Sequence, residues 1–397
     1  MATNLKSSDH KTSTDTLLSV KGIPAYVGGI VLAVLGFFVA IQFIGISFQS
    51  IGKDIAESFV VAFSNPAIGL FIGLVSTAIL QSSSTTTSMV VAAVAAGSIS
   101  LENAIPVVMG ANIGTTLTST IVSMSYITKS SEFRKAVSAG AVHDIFNILT
   151  CIILLPLELK FGLLSNLSRS LTEFFNISSP SNNTTRAYPM QIIDQFGHQL
   201  VDWFGAFFLL IISVILLFAI VKFISNILYK RLIGNTKSKF ETIAFENTFK
   251  SFGWGFLLTS IIQSSSLTTS LIVPLVATGK VKLNRAFQFI VGANLGTTIT
   301  ALLAAIFKSE AAISLAIAHL LFNSFGMILF LGVPLLKKLP IHLASKLGEV
   351  ALKYKLTGFA YILGVFFLLP FTLIYFSKKA PESTEANTSP KVELIEE

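Results

Sequence analysis

Gln81-Ser82-Ser83-Ser84 and Gln263-Ser264-Ser265-Ser266 are the residues in this 397-residue chain whose types and spacing best suit chemistry. Each tetrad lies in apolar sequence and continues into more hydroxyls: Thr85, Thr86, Thr87 and Ser88 after the first, Thr268, Thr269 and Ser270 after the second. Hydroxyls and amides both donate and accept, so such a run can hold an oxyanion through its protons or an alkali cation through its lone pairs. It cannot face hydrocarbon, which offers no hydrogen-bond partner. Small hydroxyl residues commonly bond across packed helices in membranes, and that is the plain alternative to a polar cavity. Two aligned copies favour the cavity.

The composition is that of a membrane protein: 52% hydrophobic, 12% charged, mean hydropathy +0.75. The net charge of +8 is read as cytoplasmic-loop bias and not as a nucleic-acid surface. One cysteine, Cys151, sits in apolar sequence, excludes an intramolecular disulfide and is read as packing. The first 22 residues are polar, unlike a secretory signal, and read as a flexible tail.

Apolar stretches of about 20 residues mark spanning helices. They run from Pro24 to Phe48, Ala104 to Met124, Ala136 to Leu155 (closed by Pro156), Trp203 to Ile224, Ala286 to Phe307, Ala311 to Val333 and Phe359 to Phe376. Pro66 to Gly97 and Gly253 to Gly279 are interrupted by the tetrads, leaving pieces of roughly 15 residues that are too short to cross. Each pair is expected to form a re-entrant helical hairpin with the tetrad at its tip. Gly110-Ala111-Asn112-Ile113-Gly114-Thr115-Thr116 and Gly292-Ala293-Asn294-Leu295-Gly296-Thr297-Thr298 are poor mid-helix sequence and predict broken helices.

The chain contains an internal repeat. Residues 81–120 align with 263–302 at a constant offset of 182, with about 20 of 40 positions identical. Beyond the broken helix the offset is 176, pairing His143-x-x-Phe146-Asn147 with His319-x-x-Phe322-Asn323. The expected organisation is a tail over 1–22, a membrane repeat over 23–156, an outer polar loop over 157–200, a second repeat over 201–335, a cytoplasmic linker and final span over 336–377, and a disordered acidic tail over 378–397. The fold class is all-α membrane protein. If the hairpins do not cross, each repeat crosses three times and the second enters from the opposite side, an inverted-topology repeat with its site near the midplane. Positive charge then places the N-terminus in the cytoplasm and, after seven crossings, the C-terminus outside.

Hairpins entering from opposite sides can meet tip to tip. Each tip presents the N-terminus of its second half-helix, where free N–H groups and Ser/Thr caps attract an anion. No Arg or Lys lies within these apolar segments, so co-bound cations must offset the anion's charge, pointing to cation-coupled anion symport. Asp144 is the carboxylate set well inside a span and calls for a cation beside it. His143 and His319 at equivalent positions suit either a proton relay or hydrogen-bonding struts, and the strut reading is preferred. The sequence lacks zinc-ligand spacings and a phosphate-binding P-loop, so neither a metal cofactor nor ATP is expected, and the chain is read as a transporter rather than an enzyme. The Asn-x-Ser/Thr sequons at Asn166, Asn176, Asn182 and Asn183 are read as chance in a Ser/Asn-rich loop.

The two tetrads, the paired Gly-Ala-Asn-(Ile/Leu)-Gly-Thr-Thr segments, Val142-His143-Asp144-Ile145-Phe146-Asn147 and Leu154-Leu155-Pro156-Leu157-Glu158 together resemble the type II sodium-dependent inorganic phosphate cotransporters, over about Pro24 to Phe376. The resemblance implies Na⁺-driven phosphate import across a plasma membrane, with no cofactor. It places phosphate at Gln81, Ser82, Ser83, Ser84, Gln263, Ser264, Ser265 and Ser266. Thr85, Thr86, Asn112, Thr115, Thr116, Asp144, Thr268, Asn294, Thr297 and Thr298 follow as lining or sodium-coordinating groups, with His143, Asn147, His319 and Asn323 structural. An aspartate at the position of Asp144 accompanies electrogenic transport in that family. The expected partners are phosphate, Na⁺ and the lipid bilayer, without nucleic acid, for a monomer or homodimer. The outer loop has no cysteine and a second C-terminal span is missing, which suggests a compact form in a bacterial inner membrane. A sodium symporter for sulfate or a dicarboxylate, and an anion channel, are the alternatives.

Overall fold

The computed structural model describes residues 23–51, 65–175, 188–233, 243–306 and 308–377. The expected tails over 1–22 and 378–397 lie outside the described residues. Those described form helices α1 (Ile23–Ser50), α2 (Pro66–Leu80), α3 (Ser83–Ala95), α4 (Leu101–Gly114), α5 (Leu117–Met124), α6 (Ser130–Phe161), α7 (Leu163–Phe174), α8 (Tyr188–Phe204) and α9 (Ala206–Ile233). There follow α10 (Thr248–Ile262), α11 (Ser265–Ser270), α12 (Ile272–Ala277), α13 (Leu283–Gly296), α14 (Thr298–Ala305), α15 (Glu310–Met327), α16 (Pro334–Lys353), α17 (Thr357–Leu363) and α18 (Leu369–Ser377). Among the described residues there is no strand. Six helical stretches are long and apolar enough to span a membrane: Gly28–Ser50, Leu101–Met124, Ser130–Phe161, Ala206–Leu228, Leu283–Ala305 and Glu310–Gly332. Thr357–Thr372, the expected final span, is a shorter apolar helix.

Burial separates centre from rim. Of the apolar window in Leu101–Met124, 83% is buried, against 28% in Ala206–Leu228. The first lies at the heart of the bundle, and the second turns Phe207, Phe208, Ile211 and Ile215 outward, as a lipid-facing helix would.

The first repeat is assembled on α2 and α4, which cross backbone to backbone. A Cβ at Gly73 would lie 1.8 Å from the Val107 carbonyl oxygen, and one at Gly110 would lie 1.9 Å from that of Leu70. In the second repeat α10 and α13 meet identically: a Cβ at Gly255 would lie 2.0 Å from the Phe289 oxygen, and one at Gly292 2.1 Å from that of Phe252. The glycines of the Gly-Ala-Asn segments therefore serve close packing and lie inside regular helix. The interruptions fall just after them, at Thr115-Thr116 and at Thr297.

Two local features depart from the sequence reading. Helix α6 continues through Pro156 to Phe161 and ends at Gly162, whose φ of +60° suits a residue without a side chain. The described part of 157–200 is helical, and buried Glu158 accepts from the Leu164 and Ser165 amides at 2.6 and 3.2 Å and so caps α7. The sequence shows the carboxylate but not the turn that brings the amides back to it.

Candidate substrate and cation site at the crossed hairpin tips

Each tetrad forms the turn of a helical hairpin in the same way. Gln81 ends α2 with φ 52°, and Gln263 ends α10 with φ 57°; among the described residues these are the only non-glycine positions in the left-handed region. Such a conformation costs an L-residue energy and tends to mark functional turns. Ser82 and Ser264 then cap the next helix, their hydroxyls accepting from the Thr85 amide (3.2 Å) and the Leu267 amide (3.3 Å). The amides of Ser83, Ser84, Ser265 and Ser266 make no hydrogen bond among the described residues. Two helix N-termini thus present unpaired donors.

The tips touch and exchange equivalent bonds. Ser84 donates its hydroxyl to the Gln263 carbonyl at 3.0 Å, and Ser266 donates to the Gln81 carbonyl at 3.2 Å. As in any isologous contact, each half gives the same donor to the same acceptor of the other. Ser83 to Ser88 are all buried, as are Ser265, Ser266, Thr268 and Thr269.

The hydroxyl protons are largely committed. Thr86 donates to the Ser82 carbonyl (3.2 Å), Thr268 to that of Ser264 (2.8 Å), Thr115 to Ala111 (3.0 Å), Thr116 to Ile113 (2.6 Å) and Thr298 to Leu295 (2.7 Å), and Thr297 bonds the Asn294 carbonyl. The Thr85 hydroxyl pairs with that of Ser82 at 2.8 Å. A hydroxyl whose proton is taken keeps lone pairs only, so these threonines suit a cation better than an oxyanion. Ser83 and Ser265 make no side-chain hydrogen bond among the described residues and retain protons to donate.

Beneath the tips a lattice of histidines and amides ties the repeats together. Asn294 accepts from His143 Nε2 at 2.9 Å and donates to the Oδ1 atoms of both Asn147 and Asn323 at 2.7 Å. In the other half, Asn112 Oδ1 lies 3.4 Å from His319 Nε2 and from the Asn323 amide nitrogen, and Asn147 donates to the Asn112 carbonyl at 2.9 Å. The side chains of Asn112 and Asn294 are therefore engaged with protein. Because Oδ1 accepts, Nε2 of His143 carries the proton, leaving Nδ1 buried without a partner, as is Nδ1 of His319.

Asp144 is fully buried in α6. Thr120 donates to its Oδ2 at 2.9 Å, while Oδ1 has no hydrogen-bond partner. Asp144 is thus joined to the first broken helix through Thr120 and makes no hydrogen bond to either tetrad among the described residues. Sequence reasoning missed several polar groups here. The hydroxyls of Thr77 and Thr259, equivalent across the repeats, are buried and unbonded beside Gly114 and Gly296. Ser119 and Thr269 join α5 to α11 at 3.1 Å, and Thr300 lies 3.5 Å from the Ser84 hydroxyl. The offset of 182 could have flagged Thr77 and Thr259, but isolated threonines in apolar helix carry little signal by themselves.

A bundle with six membrane-capable helices and a polar, duplicated centre built from two helix-turn-helix tips is the architecture of a multi-pass membrane protein. The family model described as Na+/Pi-cotransporter matches residues 37–157 and 215–373, and the chain belongs to that family. Both hairpins and both His-Asn segments fall within the matched stretches.

Among its relatives, sodium-dependent phosphate transport protein 2B of Bos taurus is 29% identical over 93% of this chain and 67% of that protein. Protein 2A of Ovis aries is 29% identical over 84% of this chain and 65% of its own length. Protein 2B of Homo sapiens is 28% identical over 93% of this chain and 67% of its own. The chain spans about two thirds of the length of these curated relatives. No solved structure matches it.

Proposed function

We propose that this chain is a secondary active symporter that imports inorganic phosphate together with Na⁺ across the plasma membrane, moving net positive charge. The observation that carries this reading is the reciprocal contact between the tips, Ser84 to Gln263 and Ser266 to Gln81, which makes two distant tetrads one site. Phosphate lies between the tips, held by the free amides of Ser83, Ser84, Ser265 and Ser266, the hydroxyls of Ser83 and Ser265, and the Gln81 and Gln263 side chains. Ser82 and Ser264 hold the turns in shape.

Sodium takes the threonine oxygens whose protons are already spent, Thr86, Thr115 and Thr116 in one repeat and Thr268, Thr297 and Thr298 in the other, with Thr85 beside the first group. Asn112, Asn147, His143, Asn294, His319 and Asn323 hold the two broken helices in register. Asp144 holds one further Na⁺; two Na⁺ neutralise a divalent phosphate, and the third leaves a net positive charge to move. The repeats are related by inversion, with the N-terminus cytoplasmic and the C-terminus outside, in a bacterial inner membrane, and the transporting unit is a monomer or homodimer. Residues 157–200 join the repeats on the outer side, and 336–356 link the second repeat to the final helix on the inner side.

The test is uptake by purified protein in liposomes. Phosphate that accumulates above its outside concentration under an inward Na⁺ gradient, and not under a K⁺ gradient, supports symport. Uptake that never exceeds equilibrium indicates a channel. Full competition by sulfate or a dicarboxylate would assign the site to another oxyanion.

A further inference from the structure

The two repeats match closely at the tips but not around Asp144. At the repeat offsets, Thr120 corresponds to Leu302 and Asp144 to Leu320, so the second repeat has hydrocarbon where the first has a hydroxyl and a carboxylate. Whatever Asp144 binds is bound once, on one side of an otherwise symmetric core.

The third group at this place comes from outside both repeats. Gly358 of α17 packs on Met124 of α5: a Cβ there would come within 2.5 Å of the Met124 sulfur and methyl carbon. Thr120 lies one turn before Met124, and Tyr361 lies three residues after Gly358 on the same face of α17. The contact therefore carries the Tyr361 hydroxyl over to Asp144, the neighbour against which its side chain is set. The hydroxyl is sealed from solvent and lies within interaction range of the Asp144 carboxyl, yet no well-formed hydrogen bond joins it to Oδ1, and neither atom has another partner among the described residues. Two buried oxygens, one of a carboxyl and one of a phenol, face each other beside a third, Thr120 Oγ1, whose proton is given to Oδ2. Buried polar atoms without well-formed partners are rare and costly, and a ligand shared between these oxygens would satisfy both. Carboxylate, hydroxyl and phenol oxygens around one point are the ligand set of a hard cation.

We propose that Tyr361 supplies an oxygen ligand to the cation held at Asp144, so that α17 is part of the transport site and not merely an added span. The proposal rests on the reading of Asp144 as a sodium site. The phenol has both a proton and lone pairs, so it can donate to Oδ1 in one state and turn its oxygen to the cation in the other. The final helix thereby responds to cation occupancy.

The test is a Na⁺ titration of the thermal unfolding midpoint of the purified protein, with K⁺ as the control, which needs no transport. Stabilisation by Na⁺ should require about three- to tenfold more Na⁺ in Tyr361→Phe, the loss expected for one ligand to a charged group. In an Asp144→Gly background Tyr361→Phe should add no further shift. An unchanged Na⁺ dependence in Tyr361→Phe, or the same shift with and without Asp144, overturns the proposal. So does a change in the pH dependence of unfolding alone, which would make Tyr361 the partner of a protonated carboxyl. If Na⁺ stabilises the wild type and the tyrosine variant shifts while liposome uptake proves independent of Na⁺, the symport reading fails and the ligand assignment stands.

Discussion

Ser84 gives its hydroxyl proton to the Gln263 carbonyl across 3.0 Å, although the two residues lie 179 positions apart in the chain. With its counterpart, Ser266 to Gln81, it joins the hairpins by the bond type that the cap of each helix leaves available. Removing either hydroxyl strands a carbonyl at the tip, at a cost of about 1–3 kcal/mol. Ser84→Ala and Ser266→Ala should each lower the thermal unfolding midpoint in detergent. Equal midpoints for wild type and both variants would mean that the tips contribute nothing to each other.

Gly110→Ala and Gly292→Ala test the backbone crossings. The added methyl would meet the Leu70 oxygen at 1.9 Å or the Phe252 oxygen at 2.1 Å, and neither main-chain atom can move aside alone. The cost should reach or exceed the roughly 1–3 kcal/mol typical of overpacking. Low yields of folded protein on size exclusion are expected for both, whereas Gly364→Ala, with open space at its Cβ, should behave as wild type.

Much of this was legible because the repeat is long and its polar residues are out of place. The tetrads advertise themselves against hydrocarbon, and the offset of 182 pairs them without coordinates. The broken helices are where the Gly-Ala-Asn segments put them, ending at Gly114 and Gly296. The same Gly-x-x-x-Gly spacing also makes a close crossing, which shows only in the nearness of the Leu70 and Leu74 carbonyls. Pro156 reads as a helix stop, yet α6 runs on to Gly162, where the chain turns and brings two amides to Glu158. Tyr361 carried no signal, since a tyrosine in an apolar span is ordinary and its partner lies more than 200 residues away in the chain.

Asn294 is the node through which His143, Asn147 and Asn323 meet. Asn294→Ala would leave His143 Nε2 and the Oδ1 atoms of Asn147 and Asn323 buried and unpaired, at roughly 1–3 kcal/mol for each stranded atom. A double-mutant cycle between Asn294→Ala and His143→Ala, read by thermal unfolding, should be strongly non-additive. Simple additivity would show that the lattice does not act as a unit.

Asp144→Gly separates charge from substrate. Removing the carboxylate removes the site proposed for the extra cation, so the charge moved per phosphate, from current and tracer flux in the same liposomes, should fall by about one elementary unit. Uptake itself should persist, since the tetrads are untouched. The same ratio in variant and wild type would exclude Asp144 as the source of the current.

The central claim is that two tetrads make one phosphate site driven by sodium, and the initial rate of phosphate uptake into liposomes tests it most directly. With Na⁺ outside, the wild type should accumulate phosphate. Ser83→Ala and Ser265→Ala should each need about tenfold more phosphate for half-maximal rate, as expected on losing a hydrogen bond to a charged ligand. Uptake that ignores Na⁺, or serine variants with wild-type phosphate dependence in both halves, would contradict it.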